Sequence, residues 1–319
     1  MMHIVGFDIG GTKCAILLAE VNGADIRFLK RVEIQTKGSP YDVLDTLIAH
    51  AKEMIKEFGL NGKDMLAGVS CGGPLDSSRG VILSPPNLPG WTEVYITEYI
   101  ESHLGCPARL KNDADACALA EWQYGAGRGS KNMVFMTFGT GLGAGLILNG
   151  KLYTGTNGNA GEIGHFRLEQ DGPVGYGKAG SFEGFCSGNG IRQVAISKAN
   201  QRLQSGLPVS YMKTNDVHDI TTKDVALACR EGAEDALEVM RISGHYLGIG
   251  LSLVIDILNP EKIVIGSVFA RAGDFMRKEM QKMLEKEALK NSLSVCEIVP
   301  AQLGEQIGDY GAVVAALDL

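Results

Sequence analysis

His3-Ile-Val-Gly-Phe-Asp-Ile-Gly-Gly-Thr-Lys-Cys-Ala-Ile-Leu-Leu18 is an apolar run ending in Asp8, a Gly-Gly-Thr-Lys turn, and a second apolar run from Cys14. Runs of this length around a glycine pair predict two strands joined tightly. A form of the pattern returns in Val134-Phe-Met-Thr-Phe-Gly-Thr-Gly-Leu-Gly-Ala-Gly-Leu-Ile-Leu148. Two such turns in one chain suggest two loops facing one ligand. Glycine lets backbone N–H groups approach an anion closely, and threonine adds a hydroxyl donor. A pair of ordinary hairpins is the plainer reading of either turn alone, and the echo weighs against it.

Between and after the turns the chain alternates strands and helices. Asp25–Thr36 suits an edge-like third strand. Ser39 as N-cap and Pro40 at the first helical position open a helix over Tyr41–Phe58, with Gly59 ending it. Met65–Ser70 reads as a strand running into Cys71-Gly-Gly-Pro-Leu-Asp76. The stretch Pro85-Pro-Asn-Leu-Pro-Gly-Trp91 must be a loop. Tyr95–Leu104 is expected as a helix, Cys106–Leu110 as a strand and Ala114–Tyr124 as an alanine-rich helix. After a glycine-rich boundary near Gly125–Lys131, the second half restarts with strands at Met133–Phe138 and Ala144–Leu148, and Asn149-Gly150 signals a hairpin. From Tyr153 to Gly190 glycine dominates and periodicity is weak. Helices are then expected at Gly188–Leu203, Lys223–Arg230, Ala233–Leu258 and Phe275–Ala288, with strands at Lys262–Ile265 and Glu297–Pro300. This alternation predicts an α/β protein of two similar halves with a crevice between them.

The 319 residues suit about two domains of ~150 residues each. Hydrophobic content of 45% and charged content of 21% are those of an ordinary globular protein. A net charge of -7 without a basic run makes nucleic acid a poor partner. Seven scattered cysteines, none in a C-x-x-C pair, read as reduced, buried thiols. No secretory signal and no apolar stretch of about 18 unbroken residues is visible. A cytoplasmic protein that does not enter membranes is therefore expected.

Neither a GxGxxG dinucleotide fingerprint nor a G-x-x-x-x-G-K-[ST] loop is present, so any phosphate binding falls to the two hairpin turns. Asp8 can orient Mg²⁺ through water or simply close its turn. Lys13 points away from Thr12 if the strand resumes there, which ranks Gly11 and Thr12 above it. Asp113 sits at a strand-to-helix junction beside Asn112. It can accept a proton from a hydroxyl that attacks phosphorus, or merely cap the helix. Asp115 competes, but lies in the first helical turn, where an acid is favoured by the dipole. Glu162 and His165, in Gly161-Glu-Ile-Gly-His165, and Glu183 suit hydrogen bonds to sugar hydroxyls; a metal site or a surface ion network is the alternative. His165 has only Cys186 within range downstream, so no His/Cys zinc site is built there.

In their order and spacing, Phe7-Asp-Ile-Gly-Gly-Thr-Lys13, Lys111-Asn-Asp-Ala-Asp-Ala116, Gly139-Thr-Gly-Leu-Gly143, Gly161-Glu-Ile-Gly-His165 and Glu183 resemble the ROK family (repressors, open reading frames and sugar kinases). Each motif alone is weak, but five in order, spanning essentially the whole chain, are specific. The resemblance implies a two-domain actin/hexokinase-like (ribonuclease H-like) α/β fold closing a central cleft over ATP and a hexose. It implies an N-terminal domain over 1–125, a larger domain over 126–304, and the segment 305–319 packing back on the first. It implies Asp113 as catalytic base, and Gly73, Asn87, Asn112, Glu162, His165 and Glu183 as sugar ligands beside it. Asp8, Gly10, Gly11, Thr12, Lys13, Thr140, Gly141, Gly143 and Gly266 fall on the nucleotide side. At the last turn Ser267 and Val268 stand where the family usually has glycines.

Most family members carry C-x-C-G-x-x-G-C-x-E after the Gly-His pair. Here that register reads Val174-Gly-Tyr-Gly-Lys-Ala-Gly-Ser-Phe-Glu183, without a cysteine. No structural zinc is therefore expected, and packing of Tyr176 and Phe182 is expected to hold the loop instead. Family repressors carry a DNA-binding segment ahead of the first turn; with seven residues before Asp8, none is expected here. The expectation is an ATP- and Mg²⁺-dependent hexose kinase acting on glucose, with N-acetylmannosamine, fructose or allose as alternative acceptors. A non-catalytic sugar-binding regulator is the alternative of another kind. Homodimers are common in the family.

Overall fold

The computed structural model describes residues 2–23 and 25–317, so residues 318–319 of the expected C-terminal segment lie outside it. Two compact units divide the chain: 1–131 with 145–160 and 302–319, and 132–144 with 161–301.

The first sheet is built on the opening hairpin. Strands β1 (Met2–Ile9) and β2 (Lys13–Asn22) pair antiparallel with Ile9 across from Cys14. β3 (Asp25–Gln35) adds an outer strand, while β4 (Met65–Cys71) lies parallel on the other side of β1. A small sheet of β5 (Leu75–Asp76), β6 (Val81–Ile82) and β7 (Val94–Tyr95) follows. β8 (Ala108–Asn112) completes the main order β3-β2-β1-β4-β8.

Alternation sorts side chains to the two faces of this sheet. Val5, Phe7, Ile9, Cys14, Ile16 and Leu18 join one apolar cluster with Leu44, Leu47 and Ile48 of helix α1 (Pro40–Glu57). Ile4, Leu17, Ala19 and Val21 join another with Ala312, Val313 and Ala316 at the C-terminal helix Ile307–Ala315. Both faces are thus covered, as the near-continuous apolar runs require. α1 starts as expected: Ser39 and Asp42 form a capping box, with Pro40 in the first turn. Helix α2 (Ile96–Leu104) stops at Gly105, which takes the left-handed φ of 70°. Helix α3 (Asp113–Tyr124) follows β8 directly. The strand expected at Cys106–Leu110 runs instead over Ala108–Asn112, because its pairing with β4 carries on through polar Lys111 and Asn112.

The second sheet has the order β11-β10-β9-β14-β15. Its strands are β9 (Met133–Phe138), β10 (Leu142–Leu148), β11 (Lys151–Tyr153), β14 (Lys262–Ile265) and β15 (Glu297–Pro300). The order repeats that of the first sheet: a three-stranded meander, then two strands parallel to its first member. The glycine-rich stretch holds a hairpin of β12 (Val174–Gly175) and β13 (Lys178–Ala179), then α4 (Phe182–Phe185). Helices α5 (Gly188–Gln204), α6 (Thr222–Arg230), α7 (Glu234–Leu258), α8 (Ser267–Ala272), α9 (Asp274–Glu287) and α10 (Lys290–Leu293) complete the second unit.

By length and composition alone α7 could cross a membrane, but half of its most apolar window is buried in protein. Gly244 and Gly248 lie one turn apart on it, and a Cβ at either would stand 2.5 Å from a carbonyl oxygen of Met276 or Met280 in α9. The glycines let the two helices approach closely, which is core packing. Six cysteines are buried thiols, as expected, and Cys296 is half-buried.

Candidate active site

Parallel strands β1, β4 and β8 end together: Ile9 lies across from Cys71, and Cys71 across from Asn112. The Gly-Gly-Thr turn, the Gly72-Gly73-Pro74 loop and the Asn112–Asp113 junction therefore share one edge of the first sheet. Ligands of α/β sheets bind at such carboxyl ends. The proline-rich loop joins them, since a Cβ at Gly11 would lie 2.2 Å from the Asn87 carbonyl oxygen. Only glycine fits there. Asn112 is the N-cap of α3 and accepts the Ala114 N–H at 2.9 Å, while its amide nitrogen borders Gly73. Asp113 Oδ1 accepts the same N–H at 2.8 Å, and Oδ2 faces Gly72. With Asn112 as the cap, Asp113 keeps an oxygen for other work. Asp115 is buried inside the first turn, whereas Asp113 is exposed.

Although solvent reaches Asp113, the surrounding protein thins its hydration and pushes its carboxyl above the usual range, against the lowering effect of the Ala114 N–H. Asp8 is more perturbed. Burial raises its carboxyl to about 6, helped by the negative charges of Asp309 and Asp113 and opposed by Arg31. The C-terminal helix crowds it, for a Cβ at Gly308 would lie 2.7 Å from Asp8 Oδ2. Arg31 Nε donates to Asp309 Oδ1 at 2.9 Å and its other arm reaches Glu33 at 3.2 Å. Lys13 also pairs with Glu33, at 2.6 Å. Among the described residues no cluster of three or more His, Cys, Asp or Glu side chains could hold a metal ion by itself. Asp8 fits Mg²⁺ in another way: a hard carboxylate crowded by like charge, in the fashion of sites completed by substrate phosphates and water.

Sequence reading missed what holds the first turn in shape. Thr36, just past β3, donates its hydroxyl to the Gly10 carbonyl at 2.7 Å and its N–H to the Thr12 carbonyl at 3.0 Å. Cys14 Sγ also approaches Gly10 O, at 3.7 Å. Two of the turn's carbonyls are thereby engaged. The signal lay in Thr36 itself, a hydroxyl residue where an edge strand ends, but its partner could not be read without the β2–β3 register.

In the second unit Glu183, the Glu162–His165 segment and the Gly266 turn border the turn 139–143. Glu183 Oε2 accepts the Leu142 N–H at 2.9 Å, and a Cβ at Gly141 would lie 2.8 Å from that oxygen. Gly164, between Glu162 and His165, sits against the Leu142 carbonyl. Gly266 precedes Ser267, whose hydroxyl borders Gly139. Thr137 brackets the turn by exchanging hydrogen bonds with Gly143. The first N–H groups of α5 also serve it: Gly188 N–H donates to Gly139 O at 2.7 Å and Asn189 N–H to Thr140 O at 3.4 Å.

The expected packing of Tyr176 and Phe182 is half right. Phe182 is fully buried, its ring over Gly250. Tyr176 is 69% exposed and packs into no core. Polar contacts hold the loop instead. The Gln193 side-chain amide both donates to and accepts from the backbone of Val174, at 2.9 Å each way. Arg167 donates to the Ala179 carbonyl and Lys178 to that of His165, both at 2.8 Å. Ser181 is buried and caps α4 through the Gly184 N–H.

The sequence model of the ROK family matches residues 4–318. A glucokinase of Halalkalibacterium halodurans is 34% identical over 313 residues, covering 96% of this chain and 92% of that protein. Among solved structures, a ROK family glucokinase of Streptomyces griseus in complex with glucose and AMPPNP is 27% identical. It superposes with a TM-score of 0.78, covering 98% of this chain and 99% of that one. A ROK family transcriptional regulator, a homolog of the E. coli MLC protein, is 26% identical with a TM-score of 0.85. It covers 99% of this chain and 78% of that one.

Proposed function

The chain belongs to the ROK family, and we propose that it is an ATP-dependent kinase that phosphorylates glucose to glucose 6-phosphate. The observation that carries catalysis is Asp113, with one oxygen turned from its helix and its carboxyl raised beside the glycine turn. A carboxylate raised toward neutrality is a better base for a hydroxyl.

Asp113 takes the proton as the sugar oxygen attacks the terminal phosphorus of ATP. The new O–P bond forms while the bond to the leaving ADP breaks. Phosphoryl transfer asks little of the protein beyond positioning and charge stabilisation. The N–H groups of Gly10–Thr12 and Thr140–Gly143 are assigned to the phosphates, with Lys13 and Gly266 at their margins. Asp8 would hold Mg²⁺, which when bound neutralises charge on the phosphates. Gly73, Asn87, Asn112, Glu162, His165 and Glu183 are assigned to sugar hydroxyls.

The loop from His165 to Glu183 is proposed to work without zinc, on the polar contacts described above. A homodimer is proposed, with Leu253, Ile257 and Leu289 offering an exposed apolar patch, 40–68% accessible, to a second copy. Light scattering of the purified protein tests it. A cytoplasmic location is proposed with these substrates.

The experiment that decides the reading is ADP release measured over a panel of hexoses and N-acetylhexosamines. Fastest turnover on glucose supports it, and preference for N-acetylmannosamine moves the assignment to aminosugar kinases. Sugar binding with no ADP release from any sugar favours the regulator reading, for which the likeness to the transcriptional regulator speaks.

A further inference from the structure

The turn of the β12–β13 hairpin consists of Tyr176 and Gly177, with φ of 44° and 75°. Two left-handed residues make the tight hairpin turn that favours glycine, asparagine or aspartate at both places. A tyrosine there is strained. Burial does not explain it, because the side chain is 69% exposed.

What the ring meets is the imidazole of His165, with centroids 6.2 Å apart and planes at 78°. Two residues on, Lys178 sends its ammonium to the His165 carbonyl at 2.8 Å. The hairpin thus touches both the ring and the backbone of one residue. Its own base is fixed by the reciprocal bonds of Gln193 to Val174 and by Arg167 on Ala179. His165 closes the short 3-10 turn Ile163–His165, whose N-cap is Glu162.

We propose that the Val174–Ala179 hairpin is a positioning device for His165: Tyr176 sets the imidazole edge-on and Lys178 pins the carbonyl behind it. The exposed, strained tyrosine is kept for that contact. The expected effect on catalysis rests on the reading of His165 as a sugar ligand; the orientation of the ring does not.

The test uses the full chain with Tyr176→Gly, Lys178→Met and Lys178→Arg. The His165 imidazole is followed by NMR, its resonance assigned by its loss in His165→Gln. Tyr176→Gly and Lys178→Met are expected to shift or broaden that resonance. They should also raise KM for glucose about tenfold while leaving KM for ATP unchanged. Lys178→Arg should restore both. Because glycine suits the turn, Tyr176→Gly should keep its Tm. An unchanged imidazole resonance in both variants overturns the proposal, whatever the glucose KM. A mobile ring with unchanged glucose KM upholds the positioning and removes His165 from the sugar site.

Discussion

Thr36 and Gly10 lie 26 residues apart and are joined by a 2.7 Å hydrogen bond from hydroxyl to carbonyl. The bond fixes the direction of a carbonyl inside the turn assigned to phosphate. Thr36→Val keeps the shape and removes the donor. A hydrogen bond of this kind contributes about 1 kcal/mol, so KM for ATP should rise about fivefold with little change in KM for glucose. Thr36→Ser should behave as wild type. Initial-rate kinetics on both substrates check it.

Asp113→Asn should lower kcat by about 10²–10⁴-fold, the span a general base contributes. Glucose binding, followed by calorimetry, should persist because the amide keeps the shape. Full activity in this variant would remove Asp113 from the role of base.

The raised carboxyl of Asp113 also has a pH signature. Only the ionised form accepts a proton. The rate should therefore fall as pH drops through that raised value, at higher pH than an ordinary aspartate would give. A pH profile of kcat/KM reads this directly.

Asp8 predicts a stability effect of the opposite sense to that of a salt-bridged acid. Its carboxyl stands at about 6 in the fold against an ordinary 3.8, so the folded state holds the proton longer. Stability should be highest below about pH 4 as far as this group is concerned, fall as pH rises to 6, and stay level above. Two units amount to about 3 kcal/mol. Asp8→Asn should raise the urea midpoint at pH 7.5, and the gain should vanish near pH 4.

Elemental analysis of purified protein should find no stoichiometric zinc, and prolonged chelation should leave Tm unchanged. Zinc at one per chain would overturn the zinc-free reading of the loop from His165 to Glu183.

The sequence exposed local devices well. The Gly-Gly-Thr turn, the Ser39–Pro40 helix start and the left-handed Gly59 stop each rest on residues adjacent in the chain. What it hid depends on pairing between distant strands. That Gly73 and Asn112 are neighbours follows from β4 lying beside β8, which no periodicity records. The two-residue strands between Leu75 and Tyr95 are too short to carry a period. Tyr176 was expected to hold its loop by packing with Phe182. Its left-handed turn position sends it outward instead.

The C-terminal helix has a consequence for biosynthesis. Ala312 meets Gly6, and the backbone around Ala316 meets Gly68, so the face of the first sheet that carries Ile4 and Leu17 is closed by residues made some 300 positions later. Residues 132–301, with the whole contact set of the second unit, leave the ribosome before that helix does. The unit translated first therefore cannot close that sheet face until nearly the whole chain has been made, and the bare face is a surface a chaperone would meet during synthesis.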